Sequence, residues 1–282
     1  MPRRRRRRSR RRRGSDRLSI GQKAAVACGL VVAVAVLFLF GRYVVFAPGP
    51  PERDPDTGCP ETGPSSLTAI MIDATDRIGA ISRADVLARL DEYVAASRED
   101  EMVIGFEARP VGEEIDDPLL MVCHPGDPEK ASEWTQNPRR IRQRLEERFR
   151  QPLEALFRDL LGREEAPTSP LMESVQSVAV SFLGREEYVD IPKRLVLVSD
   201  LMQHSEYLSF FRQPVEYDAF ARSHGADALG TDLGGTTVDI LFVQREAHRR
   251  LRSTRGLAEF WGRWIEDQGG MVRSVVSIDG MN

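Results

Sequence analysis

The sequence predicts an α/β fold, a mostly parallel central sheet between helical layers, preceded by one membrane-spanning helix and a disordered basic tail. Three observations carry this. From Leu67 onward, short apolar runs of strand length alternate with amphipathic segments of helix length. Before them lies one uncharged apolar run long enough to cross a bilayer, and before that a stretch dominated by arginine.

Residues 1–23 hold eleven Arg and Lys23 against one acid, Asp16, a charge of about +11. So little apolar surface cannot offset the entropy of ordering the backbone, and disorder is expected. Ala24–Gly41 carries no charge, and with Tyr43–Phe46 beyond a snorkelling Arg42 the run reaches the roughly 20 residues that a helix needs to cross hydrocarbon. Residues 24–46 are therefore the expected transmembrane helix. Basic residues before a span resist translocation, which predicts a cell inner membrane protein with its N-terminus cytoplasmic and its C-terminal domain periplasmic or extracellular. A cleavable signal peptide has a shorter apolar core and a small-x-small site, and Pro48 and Pro50 spoil the place for one, so the span reads as a signal anchor. The arginine run needs no nucleic acid, because basic residues beside a span are drawn to anionic lipids at about 1 kcal/mol each.

Setting the tail and Arg42 aside, the net charge of -3 becomes about -15 for the exported part, which repels nucleic acid. Cys28 falls in the span. Cys59 and Cys123 are exported and fit either a disulfide in an oxidising compartment or two buried thiols.

Residues 47–66 are rich in Pro, Gly, Asp and Glu without an apolar period and read as a stiff, extended spacer, leaving 67–282 for the domain. A strand is expected at Leu67–Ile72. A helix follows at Ala84–Ala96, opened by the capping-box spacing of Ser82 and Asp85 and carrying Val86, Leu87, Leu90 and Val94 at helical intervals. Met102–Phe106 and Leu119–Val122 read as strands and Arg139–Leu161 as a helix. Pro170–Leu183 reads as a helix, Leu195–Val198 as a strand, and Ser205–Thr236 as loops or short helices. Val238–Val243 is a strand, Thr254–Gln268 a helix and Val272–Ile278 the last strand. In that last helix Leu257, Phe260, Trp261, Trp264 and Ile265 form one apolar stripe, so both Trp belong to the core, and Gly269 and Gly270 end it.

Open parallel sheets bind ligands beyond the carboxyl ends of their strands, so the informative residues directly follow the apolar runs. Asp73-Ala74-Thr75-Asp76-Arg77 follows the first strand, Thr168-Ser169 precedes the Pro170 helix, and Ser199-Asp200 follows the Leu195 strand. In motif and order these resemble the von Willebrand factor A (vWA) domain. Its metal-ion-dependent adhesion site takes D-x-S-x-S after the first strand, a Thr from a later loop and an Asp after the fourth strand. The resemblance runs from Leu67 to the C-terminus. It implies Mg²⁺ or Mn²⁺ held by Asp73, Thr75, Ser169 or Thr168, and Asp200, with a protein partner at the carboxyl edge completing the coordination through an acidic side chain. Oxygen ligands of this kind suit a hard divalent cation. Arg77 departs from the motif, since a guanidinium cannot ligate metal; it would instead pair with Asp73 or Asp200 and neutralise them without an ion.

Each piece also has a purely structural reading. Asp73 and Thr75 suit a turn into the next helix, and Ser169-Pro170 has the order of an N-cap and first helical residue. Asp200 resists such a reading, because a carboxylate at the mouth of a sheet needs a partner. The expected function is a membrane-anchored vWA-like protein-interaction module of the cell envelope, not an enzyme. The alternative is a Mg-dependent phosphohydrolase of haloacid-dehalogenase type with Asp73 as nucleophile, but Thr75 stands where that class has its general acid.

Gly230–Thr237 looks like the phosphate loop of sugar kinases, yet no strand precedes it, and a Gly-rich loop leading into the Val238 strand is expected. The four His, at 124, 204, 224 and 248, lack zinc spacing, and no G-x-S-x-G nucleophile motif occurs. Cys123 and His124-Pro125-Gly126-Asp127 are expected beyond a strand end on the binding side, as a Pro-Gly turn or else a rim loop.

Overall fold

The computed structural model describes residues 19–46, 52–75, 78–108, 118–131, 137–163, 168–245 and 253–278. The chain forms two compact units, Met1–Pro51 and Glu52–Asn282.

In the first unit, helix α1 (Ile20–Phe46) has mean hydropathy 2.7 over Ile20–Tyr43, long and apolar enough to cross a membrane. It starts four residues before the expected Ala24. Ser19 and Gln22 explain this: Gln22 Oε1 accepts from Ser19 N at 2.9 Å and Ser19 Oγ from Gln22 N at 3.3 Å, a reciprocal cap that satisfies two of the orphan amides at the helix start. The remaining tail, 1–18, lies outside the described residues.

The second unit is built on β1 (Ser66–Ile72), β2 (Glu101–Glu107), β3 (Leu120–Cys123), β4 (Lys193–Ser199), β5 (Thr237–Val243) and β6 (Met271–Ile278). They form one sheet in the order β3-β2-β1-β4-β5-β6, parallel throughout except that β3 runs antiparallel to β2. This is the expected mixed, mostly parallel central sheet flanked by helices. Successive residues of the inner strands point to opposite faces and both faces are covered, which is why the runs are apolar throughout. Ala69, Met71, Leu195, Leu197 and Ile240 enter one core; Ile70, Ile72, Val196, Val198 and Leu241 enter the other.

The helices are α2 (Ala80–Ala96), α3 (Pro138–Arg144), α4 (Gln151–Leu160), α5 (Leu171–Val178), the short α6 (Tyr217–Phe220) and α7 (His224–Ala228), and α8 (Thr254–Asp267). A π-turn over Leu145–Arg150 links α3 to α4 just before Pro152, whose missing N–H interrupts the regular ladder. Val86, Leu90, Leu153 and Phe157 of α2 and α4 close one face, and Leu171, Val175, Phe260 and Trp261 of α5 and α8 the other. The predicted α8 stripe is buried in full, Trp261 and Trp264 included, and Ser253 Oγ caps its first turn by accepting from Gly256 N. At its end Gly269 adopts φ +74°, and Gly270 N returns to Ile265 O at 2.9 Å.

Three expectations are corrected. Helix α2 opens at Ala80, with Arg83 N already bonded to Gly79 O at 2.8 Å, so Ser82 and Asp85 lie inside the helix and do not cap it. Residues 52–65 are no extended spacer: Asp54 Oδ1 closes a turn on Asp56 N and Thr57 N, Arg53 pairs with Asp100 at 2.7 Å, and Cys59 joins Cys123 in a disulfide. Because β3 runs backwards, Cys123 pairs opposite Met102 at the amino end of β2, so the Cys123–Asp127 segment lies at the opposite rim from the expected binding side. The disulfide spans 64 residues of sequence. In the chain-entropy model such a loop closure is worth about 4 kcal/mol.

Candidate functional site

The strand order reverses between β1 and β4, the switch point at which an open α/β sheet leaves a crevice beyond its carboxyl ends. Asp73 follows β1 there and Ser199-Asp200 closes β4, with Asp73 N donating to Val198 O at 2.9 Å. The sheet thus brings together residues 126 apart in sequence.

Asp73 is completely buried, so its charge must be met inside the protein. Oδ1 accepts from Thr75 Oγ1 at 2.5 Å and from Thr75 N at 3.1 Å; Oδ2 accepts from Ser199 Oγ at 2.8 Å and from Ser169 Oγ at 3.4 Å. All four donors are neutral. Hydrogen bonds to an ionised group contribute about 1.5–3 kcal/mol each, enough together to keep a carboxylate in place without a direct counter-ion.

Asp200 is met differently. Its Oδ1 accepts from Met202 N at 3.0 Å, and its Oδ2 lies 3.3 Å from Nε of the buried Arg245. Burial lowers the Arg245 pKa and the charge of Asp73 opposes that shift; the guanidinium stays protonated throughout. Between Asp200 and its amide partner sits Leu201 at φ +62°, a left-handed conformation that costs a non-glycine residue about 1–2 kcal/mol. Leu201 is held there by Ser199 Oγ, which accepts its N–H at 2.8 Å, and by Trp261 Nε1, which donates to its carbonyl at 3.0 Å. Backbone strain held this firmly fixes where Asp200 points.

Of the residues singled out in the sequence, Asp73, Thr75, Ser169 and Asp200 do gather at one rim. Ser169, not Thr168, reaches Asp73; Thr168 is half-buried. Ser169 does not cap α5. Its N–H and C=O pair with His204, and the helix start is served instead by Gln203 Oε1, which accepts from Met172 N at 2.9 Å. Asp76 and Arg77 lie outside the described residues. Among the described residues the cation beside the two carboxylates is Arg245, which the sequence reading missed because it stands two residues past β5 and not directly after the strand. Ser199 was passed over beside Asp200.

The donor set can be tested against a hard divalent cation. Two carboxylates and three hydroxyls offer oxygen ligands, and a hydroxyl that donates to Asp73 keeps lone pairs for a metal. These residues fit Mg²⁺ or Mn²⁺, with Arg245 competing for Asp200. Among the described residues, no group of three or more His, Cys, Asp and Glu stands together.

The Gly230–Thr237 segment is occupied by the fold. Gly234 N bonds to Asp232 Oδ1, Thr231 N to Gln268 Oε1, and Gly235 N to Gly269 O, so those amides are not presented to a phosphate.

No family model matches the sequence, and no curated protein matches it. Among the solved structures that are similar are two Bacteroides proteins. An aerotolerance-related membrane protein from Bacteroides fragilis NCTC 9343, with multiple mutations to serines, shares 13% identity with a TM-score of 0.32, over 76% of this chain and 92% of that one. The conserved hypothetical protein BatB from Bacteroides thetaiotaomicron shares 13% identity with a TM-score of 0.37, over 77% of this chain and 92% of that one.

Proposed function

We propose that the chain is a membrane-anchored, vWA-like interaction module of the cell envelope that engages a protein partner through the rim formed by Asp73, Thr75, Ser169, Ser199 and Asp200. The observation that carries the reading is the convergence of these side chains on a buried carboxylate at the sheet's switch point, whose hydrogen bonds among the described residues all come from hydroxyls and a backbone amide. Mg²⁺ or Mn²⁺ would be held by Asp73, Thr75, Ser169 and Asp200, and would supply the positive charge that draws an acidic side chain of the partner. Helix α1 serves as a single-pass inner-membrane anchor with the arginine tail cytoplasmic, against anionic lipids. A disulfide-joined domain suits the oxidising side of that membrane.

A hydrolytic role for Asp73 has no observation in its favour: both its oxygens accept hydrogen bonds, which disperses the charge a nucleophile needs, and Thr75 offers no general acid. A generic phosphate ester with Mg²⁺ is expected to give no turnover.

The test is affinity capture with the full chain in detergent, comparing wild type with the Asp73→Ala, Asp200→Ala double variant after circular dichroism shows both folded. A partner captured by wild type, released by chelator and absent from the variant is the expected result. Equal capture by the two proteins would reject the rim as the binding surface.

A further inference from the structure

At the amino ends of β1, β4 and β5, the far end of the sheet from Asp73, a cleft of about 760 Å³ opens between the sheet and α2. Its floor breaks the pattern of that face. Ile70, Val196 and Leu241 are core residues, but the positions two residues earlier on the same strands are Thr68, Arg194 and Asp239. Asp239 is completely buried, inside a strand that is otherwise apolar over Val238–Val243.

Arg273 meets Asp239 in a two-pronged pair, Nε to Oδ1 at 2.8 Å and Nη2 to Oδ2, and Ser274 Oγ donates to Oδ1 at 2.5 Å. The carboxylate is then satisfied, yet a second guanidinium lies over it. Arg194 Nε is 3.9 Å from Asp239 Oδ2, beyond hydrogen-bond range, and that buried nitrogen makes no hydrogen bond. One negative charge therefore sits between two positive ones, with a buried donor left over. None of the cleft's three acids supplies the missing partner, the exposed Glu99 lying with its carboxylate beside Gly126. Glu101 accepts from Thr68 Oγ1 and Arg98 N, and Glu92 is held by Arg89 at 3.0 Å. The Tyr93 phenol of α2 borders the same space, kept protonated by burial and by the nearby Asp239 charge, and so able to donate.

We propose that this cleft binds a small molecule bearing a carboxylate or phosphate group, whose oxygens are taken by Arg194 with the Tyr93 hydroxyl. A guanidinium offers paired N–H groups that match such an oxyanion, and about a third of the Arg194 side chain is exposed to take one. The volume lies within the range of about 300–1,000 Å³ usual for small-molecule sites. In a unit that carries a net negative charge, a local surplus of arginine also sets this cleft apart from the surface around it.

The experiment is a thermal-shift titration of the full chain in detergent at constant ionic strength, with inorganic phosphate and with succinate as probes and chloride as control. A probe at about ten times its Kd should raise Tm by roughly 3–5 °C. Arg194→Gln should abolish that shift, Tyr93→Phe should reduce it, and Asp73→Ala, at the other end of the sheet, should leave it intact. Since Arg273 still holds Asp239 in the Arg194→Gln protein, the variant should fold, and the readout is the ligand-induced change, not its starting Tm. A response to phosphate alone assigns a phosphoryl ligand, and one to succinate alone a carboxylate. No shift beyond chloride with either probe, or a shift that survives Arg194→Gln, overturns the proposal.

Discussion

Asp73 and Asp239 are both completely buried carboxylates, one at each end of the sheet, but Asp73 is surrounded by three hydroxyls and an amide while Asp239 is gripped by a guanidinium. The difference separates two uses of a buried charge. A carboxylate held by neutral donors keeps its negative charge available to a cation from outside. A carboxylate clamped by arginine is already neutralised, and with a second arginine above it the surroundings favour an anion. The carboxyl end of the sheet sets two carboxylates beside one guanidinium, Arg245, and the amino end sets two guanidinium groups around one carboxylate, although each is centred on an aspartate. The amino end is also the end stitched by Cys59–Cys123.

The largest effect expected is at that stitch. Replacing both cysteines with serine should cost about 4 kcal/mol by the loop-entropy argument, read as a fall in urea midpoint. A loss below about 1 kcal/mol would mean that the amino end is held by packing alone. Next, Asp239→Ala should cost about 3 kcal/mol, the low end for breaking a buried ion pair because half of Arg273 reaches solvent. Asp73→Asn should cost only about 1 kcal/mol in the same assay, since the amide keeps its size, its oxygen still accepts on one side, and a hydroxyl facing its –NH2 can turn to accept. Equal losses at the two positions would erase the distinction drawn between them.

Arg245→Ala should destabilise the protein by about 2 kcal/mol in chelator, by removing the guanidinium that lies 3.3 Å from Asp200. Millimolar Mg²⁺ should restore much of that loss, whereas a deficit indifferent to Mg²⁺ would make Arg245 a purely structural partner.

The smallest effect concerns His124. Burial lowers its pKa, against the opposing charges of Glu101, Asp127 and Asp100, and its Nδ1 accepts from Gly126 N, which requires the neutral ring. With the folded pKa below the unfolded one, the unfolded chain takes up the proton first as pH falls. The contribution of the neutral ring is thus complete above the ordinary histidine pKa of about 6.5 and declines below it. His124→Phe, which can keep the edge contact with Phe149, should flatten the fall in stability as pH drops below about 6.5. An unchanged slope would place the titration elsewhere.

The strands were readable because the inner ones are buried on both faces and so stay apolar along their length, and α8 because its stripe is regular. Direction was not readable. Nothing in Leu120–Cys123 says that it runs antiparallel, since that depends on which edge of β2 it returns to, and the placement of Cys123–Asp127 on the binding side failed for this reason alone. Residues 52–65 were misread because a Pro- and Gly-rich composition suits a linker and a clasp equally; the clasp is made by side chains such as Asp54 and Arg53, far from any periodic pattern. At the site, the residues directly after the strands were found, while Arg245, two residues beyond β5, was not. Asp239 had a signal too, a lone acid within an apolar strand, which can be buried only if a partner is brought from elsewhere.

The account turns on whether the hydroxyl-held carboxylate at the β1–β4 switch point accepts a cation. Calorimetric titration of the full chain in detergent with Mg²⁺ and with Mn²⁺, on wild type and Asp73→Asn, measures this directly. Saturable binding at one site in wild type and its loss in Asp73→Asn is the predicted result; no binding in wild type, or undiminished binding in the variant, would contradict it.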